Sequence, residues 1–301
     1  MLVTVLGTAA NGGIPQWDCC CPHCAAARAD LRLRRTRSSI TVSLDGKKHV
    51  LIDAGPDLKV QLEGTGLVPE PSDAGPGFRQ SRIEAILLTH GHGDHTVGVA
   101  EFSTGKSFGI PVYAPSDLTR FLFRDGDRIN YFGELGRLAK DYVKPRVLEE
   151  NEELLLLDGL RIEGFQVEHT DRLSDGRYYP SSTFGYELEK DGKRLIYTPD
   201  LGRLPGWLLD RMDGADAFFM DATFWWDDEL NRVSGIRKTS YDLGHVPVEE
   251  SLETLRDVDV GRVIYTHINH TNPLADPGSI YSRKVRDAGF EVAYDGMTVN
   301  L

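Results

Sequence analysis

The chain is poor in cysteine. It has four, Cys19, Cys20, Cys21 and Cys24, all within six residues of a 301-residue sequence. Such crowding excludes a disulfide framework spread over the fold and fits a metal knot in a reducing compartment. Long apolar runs are missing as well, since nothing approaches the ~18 residues of a membrane span. The opening Met1-Leu-Val-Thr-Val-Leu-Gly lacks the charged start and apolar centre of a signal peptide. The expectation is a cytoplasmic protein with no membrane attachment. Positive charge is also scarce: 34 Lys and Arg stand against 46 Asp and Glu, a net charge of −12. That balance argues against an extended nucleic-acid-binding face, although bound metal would make a cleft locally positive and leave anionic substrates open. The apolar share of 40% is ordinary, which excludes wholesale disorder.

What is present concentrates in Leu87-Leu-Thr-His-Gly-His-Gly-Asp-His95. Ile83 to Thr89 reads as a short buried strand, and Gly91 and Gly93 mark the turn where the backbone leaves it. His90, His92, Asp94 and His95 on that turn offer nitrogen and oxygen donors to one side, a set suited to borderline-soft divalent ions. Cys19, Cys21 and Cys24, spaced Cys-x-Cys-x-x-Cys, can hold one zinc in a closed tetrahedral site if a fourth ligand arrives from elsewhere. His270 is the first choice for that ligand and His23 the local alternative; His267 against His270 stays open.

Along the chain, strands are expected at Leu2 to Leu6, Ser39 to Leu44, Lys48 to Asp53, Ile110 to Ala114, Glu153 to Leu157, Leu160 to Val167, Thr183 to Glu189, Arg194 to Thr198, Ala217 to Met220, Val263 to Thr266, Glu291 to Tyr294 and Thr298 to Leu301. Asp45-Gly46, Asp158-Gly159 and Asp191-Gly192 are hairpin turns. Helices are expected at Val97 to Thr104, Val248 to Arg256 and Ser279 to Ala288. The basic stretch Arg28 to Arg37 reads as a solvated connection. Residues 68–78 read as a surface loop, 171–180 as a border of the pocket, and Phe224 to Asp228 as an aromatic-acidic loop that meets substrate. Strand-rich and helix-rich pieces recur in both halves, which fits an α/β chain of two packed mixed sheets flanked by helices. One domain over 1–301 is expected, with a zinc-binding loop at 17–24 and a lid insertion at 116–146.

The metal loop resembles the signature of the metallo-β-lactamase superfamily, and that resemblance implies a four-layer αββα sandwich. It also implies three later ligands, for which His169, Asp200 and His267 are available, each just past a strand-like run. By carry-over, His90, His92 and His169 would hold one divalent ion (Zn, Mn or Fe), Asp94, His95 and His267 a second, and Asp200 would bridge them. Asp53 would support the site from behind. His245 would act as general acid, with Asp94 beside it in the catalytic group, although a histidine before Val246-Pro247 is also a plain helix start. Gly7-Thr-Ala-Ala-Asn-Gly-Gly-Ile-Pro-Gln-Trp-Asp-Cys19, Phe218-Phe-Met-Asp-Ala-Thr-Phe-Trp225, Gly244-His-Val-Pro-Val248 and His267-Ile-Asn-His-Thr-Asn-Pro273 resemble the coenzyme PQQ synthesis protein B family. That family's usual loop lacks the early histidines. A complete loop beside a cysteine knot instead resembles phosphodiesterases of carbon–phosphorus lyase pathways. Two functions follow from these resemblances: hydrolysis of a small anionic ester, or an iron-dependent oxidative step on a tyrosine in peptide-derived cofactor synthesis. A small-molecule or short-peptide substrate is expected in either case, and a homodimer stays open as an assembly.

Overall fold

The structure is a computed structural model that describes residues 1–70, 80–103, 109–123, 143–169 and 182–301. Among the described residues, fourteen strands form two seven-stranded sheets. The first takes β1 (Leu2–Gly7), β2 (Ser39–Ser43), β3 (His49–Ile52), β4 (Ile83–Leu87), β5 (Ile110–Ala114) and β6 (Val143–Val147), in that order, with β14 (Thr298–Asn300) outside β1. The second takes β7 (Glu153–Leu156), β8 (Leu160–Val167), β9 (Thr183–Lys190), β10 (Lys193–Thr198), β11 (Ala217–Asp221), β12 (Val263–Thr266) and β13 (Glu291–Val292). Each sheet changes from antiparallel to parallel pairing partway across, at β3 in one and β10 in the other. The two halves therefore repeat a topology that no short sequence repeat betrays.

Alternation along the strands builds the layers. Val50, Ile52, Ala85 and Leu87 point between the sheets and meet Leu195, Tyr197, Ala217 and Phe219, which do the same from the other side. Leu51, Ile86 and Val112 point the opposite way, onto helices α2 (Leu58–Gly64) and α4 (Ser116–Phe123). Ile196, Phe218, Met220 and Tyr265 face α5 (Gly206–Met212), α7 (Val248–Thr254) and α8 (Ile280–Asp287). A strand buried on both faces needs an unbroken apolar run, and Ala217-Phe-Phe-Met is such a run. Helix, sheet, sheet and helix give the expected αββα sandwich.

Several expectations shift. The helix foreseen at Val97 to Thr104 begins earlier, as the α3 turn Gly93–Thr96, and continues as a 3₁₀ segment Val97–Ser103. Asp94 and His95 thus ride on a helical turn and not on a loop. The basic stretch Arg28 to Arg37 is not wholly solvated: Arg35 is 8% exposed, and Arg37 pairs with Asp57 at 3.1 Å. Of the lid proposed at 116–146, the first part is the helix α4 and the last is β6, while 124–142 lies outside the described residues. The loop 171–180 lies outside them too, as does most of 68–78.

Candidate metal centre

Chain direction decides where the polar residues collect. β3, β4, β8, β10, β11 and β12 all deliver their carboxyl ends to one rim, where Asp53, the His90 to His95 loop, His169, Asp200, Asp221 and His267 follow. Crevices at the carboxyl ends of strands are the usual binding place of layered α/β folds. Ala54 N donates to the His95 carbonyl at 2.7 Å and Gly98 N to the Ala54 carbonyl at 2.8 Å, so the metal loop is laced to the turn after β3. A Cβ on Gly55 would lie 2.3 Å from the Asp94 carbonyl oxygen, so only glycine permits that approach. Asp53 and His267 both adopt positive φ, +62° and +57°, a conformation that costs a non-glycine residue free energy and persists where the surroundings fix it.

The candidate donors fall into groups on this rim. His90, His92, His169 and Asp200 form one set, and Asp94, His95 and His267 another, with the offered atoms of each set within 4.8 Å of one another. His90 Nε2 faces His92 Nδ1 at 2.7 Å, and His95 Nε2 faces His267 Nε2 at 3.3 Å. Asp200 reaches both sets: its Oδ1 lies 3.7 Å from His169 Nε2 and its Oδ2 3.2 Å from His95 Nε2. Asp94 Oδ2 stands 3.4 Å from His95 Nε2 and 3.5 Å from His267 Nε2.

These residues fit metal. His169 Nε2 and Asp200 Oδ2 are buried with no hydrogen-bond partner, an unfavourable arrangement unless something else ligates them. Two nitrogens bound at ~2.0 Å to one tetrahedral ion stand about 3.3 Å apart, the spacing of His95 and His267. Burial holds His90 well below the ordinary imidazole range and His169 down at about 4, so both keep a lone pair to offer. Burial opposes ionisation of Asp94 and Asp200, yet the surrounding histidines hold both carboxyls well below their usual range. Burial likewise opposes a proton on His95, but Asp94, Asp200 and Asp53 outweigh it and push that imidazole well above 6.5. A field that strong in favour of positive charge is what a dication would meet.

Hydrogen bonds from behind orient the donor rings. Asp53 Oδ2 takes His95 Nδ1 at 2.8 Å, and Asp53 is itself fixed by Thr89 N at 2.8 Å and Thr89 Oγ1 at 2.9 Å. The sequence reading missed the counterpart in the other half. Asp221, at the end of β11, takes His245 Nδ1 at 2.6 Å and accepts from Thr223 N at 2.8 Å, Thr223 Oγ1 at 2.6 Å and Leu201 N at 2.9 Å. Thr223 Oγ1 also lies 2.8 Å from His267 Nδ1. The shared string Asp-Ala after an apolar strand, at Asp53-Ala54 and Asp221-Ala222, is the signal that would have found it. His245 lies among the ligands, its ring stacked 5.7 Å from that of His267. Burial works against its protonation, and Asp221 more than offsets this, raising it above its ordinary value.

The cysteine knot is separate. Cys19 and Cys21 Sγ lie 3.5 and 3.6 Å from His270 Nδ1, and Cys24 completes the set. Bonds of ~2.3 Å to sulfur and ~2.0 Å to nitrogen place such atoms about 3.5 Å apart around zinc. Of His267 and His270, the first sits in the rim cluster and the second with the cysteines. His23 lies outside that set, its Nδ1 meeting the His270 carbonyl at 2.8 Å. Cys20 is exposed and outside the set. The aromatic-acidic loop is corrected in part. Phe224 packs 5.8 Å from His245, but Trp225 and Trp226 turn away to meet Tyr281 edge to face, ring centroids 4.8 and 5.0 Å apart.

Residues 48–268 match the model of the beta-lactamase superfamily domain. The chain is 36% identical to coenzyme PQQ synthesis protein B of Methylobacterium nodulans and 34% identical to that of Methylorubrum extorquens, over the full length of both partners in each case. It superposes on Zn(2+)-bound PqqB from Methylobacterium extorquens with a TM-score of 0.86 at 33% identity, all of both chains covered. A diphosphatase from the PhnP family shares the fold, with a TM-score of 0.70 at 23% identity over 100% of this chain and 97% of the other. No described helix is long and apolar enough to cross a membrane. Together with the His/Asp rim cluster and the two-sheet sandwich, this full-length similarity makes the chain a member of the metallo-β-lactamase superfamily and, within it, of the coenzyme PQQ synthesis protein B family.

Proposed function

We propose that the protein is a hydrolase that employs two divalent cations, zinc, manganese or iron, on a small anionic ester, best a phosphodiester. The observation that carries this reading is Asp200 standing between two complete donor sets, within 3.7 Å of His169 on one side and 3.2 Å of His95 on the other. His90, His92 and His169 would hold one ion, Asp94, His95 and His267 the other, and Asp200 both; Cys19, Cys21, Cys24 and His270 would hold a structural zinc. Bound in this way, such ions acidify water and stabilise negative charge that develops on a phosphoryl or carbonyl oxygen. The chain's own groups supply orientation and a proton. Asp53 and Thr223 hold the far nitrogens of His95 and His267, which fixes their rings and tautomers. Asp221 holds His245 by Nδ1 and leaves Nε2 as the nitrogen that hands a proton to a departing alkoxide.

A second reading has its own support. Full-length identity of 36% to a protein named for coenzyme PQQ synthesis favours an iron-dependent oxidative step in the making of that cofactor or a related one, hydroxylation of a tyrosine in which one atom of dioxygen enters the ring and the other leaves as water with two electrons from an added reductant. One pair of assays separates the two. Zinc- or manganese-loaded protein that cleaves bis(p-nitrophenyl) phosphate, and loses this with Asp200→Ala, supports the hydrolase. Iron-dependent oxygen uptake with a tyrosine-containing peptide, and no ester cleavage under any metal, overturns it in favour of the second.

A further inference from the structure

Away from the metal centre, a cavity of about 430 Å³ opens where the short turn Leu31–Leu33 and the residues after it meet the segment Pro273–Ala275 and helix α8. That is the size of a small-molecule site. None of its lining residues belongs to either metal set or to the cysteine knot.

In a chain of net charge −12 the wall is basic: Arg32, Arg34, Arg35 and Arg286 line it against two carboxylates, Glu291 and Asp295. Both carboxylates are already engaged. Glu291 holds Arg262 through two bonds of 2.7 and 2.8 Å, and Asp295 accepts from Thr8 Oγ1, Thr36 N and Thr36 Oγ1 at 2.7, 2.7 and 2.8 Å. Arg32 pairs with Asp30 at 2.7 Å. Arg34, Arg35 and Arg286 form no ion pair among the described residues. Arg34 spends Nε on the Ala27 carbonyl at 3.2 Å, and Arg286 spends Nη1 on the Pro277 carbonyl at 3.3 Å, so each keeps donors in hand. Arg35 is built into the floor, buried, with Nη1 on Thr8 Oγ1 at 2.9 Å. Asp295 acts on it as a counter-charge through the shared Thr8 hydroxyl, yet burial still pulls this guanidinium below its ordinary value, so an arriving anion would stabilise its charge. The remaining wall is apolar and aromatic, with Leu274, Phe290 and Tyr294.

The geometry points to a second ligand site here, for a small organic anion whose carboxylate or phosphoryl head is forked by the arginines and whose flat body lies against Phe290 and Tyr294. The basic stretch that sequence alone reads as a connection is one wall of this site. It stands independently of the chemistry proposed for the metal centre.

Calorimetric titration of the zinc-loaded protein with phenylphosphonate, which has no ester to cleave, tests the site, with methylphosphonate as the head without the ring. Phenylphosphonate is expected to bind. Arg34→Gln combined with Arg286→Gln is expected to weaken binding about tenfold, and Tyr294→Ala to bring it towards the affinity of methylphosphonate. All three side chains are exposed, so unchanged melting temperatures and zinc content mark these variants as folded. His90→Ala with His92→Ala is expected to leave the affinity unchanged. Three results would overturn the assignment: no binding of phenylphosphonate; binding that survives loss of the arginines but not of the histidines; or equal affinity for methylphosphonate, which would mark an inorganic phosphate site instead.

Discussion

At the scale of single residues, the centre depends on two aspartates that touch no expected ion. Asp53 and Asp221 each end a strand, each accept from a nearby threonine through backbone N–H and hydroxyl, and each hold a histidine by Nδ1. Asp221 holds His245 by Nδ1, and if His245 is the proton donor proposed above, the consequence depends on the leaving group. A p-nitrophenolate departs without a proton, whereas a simple alkoxide needs one. His245→Ala is therefore expected to reduce cleavage of a methyl or ethyl phosphodiester by about 10²- to 10⁴-fold while costing less than tenfold on bis(p-nitrophenyl) phosphate. Equal losses on both substrates, measured as kcat/KM, would assign His245 to structure or ligation instead. The clustered candidate donors were legible in the sequence because metal binding demands rare residue types in a fixed order just past strands. Asp221 and Thr223 were not, because an aspartate after an apolar run also describes an ordinary strand end, and only the fold brings 221, 223, 245 and 267 together.

At the scale of elements, helix α6 (Glu229–Ser234) carries a carboxyl whose burial raises it to about 7. Glu229 accepts from Trp225 N at 2.6 Å and from Thr271 Oγ1 at 2.5 Å, and so tethers the helix to the segment just after His270. Unfolded, the group releases its proton near 4.5; folded, it keeps it to about 7. The folded state thus binds the extra proton between these values, and stability falls as pH rises through that window. A shift of this size is worth about 3 kcal/mol. Glu229→Gln should be no more stable than wild type near pH 4.5 and more stable above pH 7 by a sizeable part of that amount. Urea unfolding at the two pH values reads the difference, and parallel curves for both proteins across this range would refute the account. Element boundaries were mostly legible, because period-two alternation bounded by Asp-Gly turns gives strands little freedom. The short helices Pro22–Ala29, Leu58–Gly64 and Gly206–Met212 were not, since two turns leave too few residues for a helical period to show.

At the scale of the whole molecule, two similar halves face each other and share the rim. The first supplies His90, His92, Asp94 and His95; the second supplies His169, Asp200, His245 and His267. The set His90, His92, His169 and Asp200 and the set Asp94, His95 and His267 each draw on both halves. With zinc bound, the cysteine knot would add a long-range tie, joining Cys19 to His270 across 251 residues of sequence. Closing a loop of that length restricts the unfolded chain by about 5 kcal/mol on chain entropy alone. Cys24→Ser with His270→Ala should lose one zinc and several kcal/mol of stability in denaturant while the rim keeps its metal. Loss of all metal together would mean that the two centres are not independent.

The most direct test is elemental analysis of protein purified without added metal, for the wild type and for His90→Ala with His92→Ala. Two rim ions beside a structural zinc predict about three equivalents per chain, falling to about one in the variant, the remaining one in the Cys19, Cys21, Cys24 and His270 site. An unchanged metal content in the variant would contradict a rim built around His90 and His92, and with it the hydrolytic centre proposed for this chain.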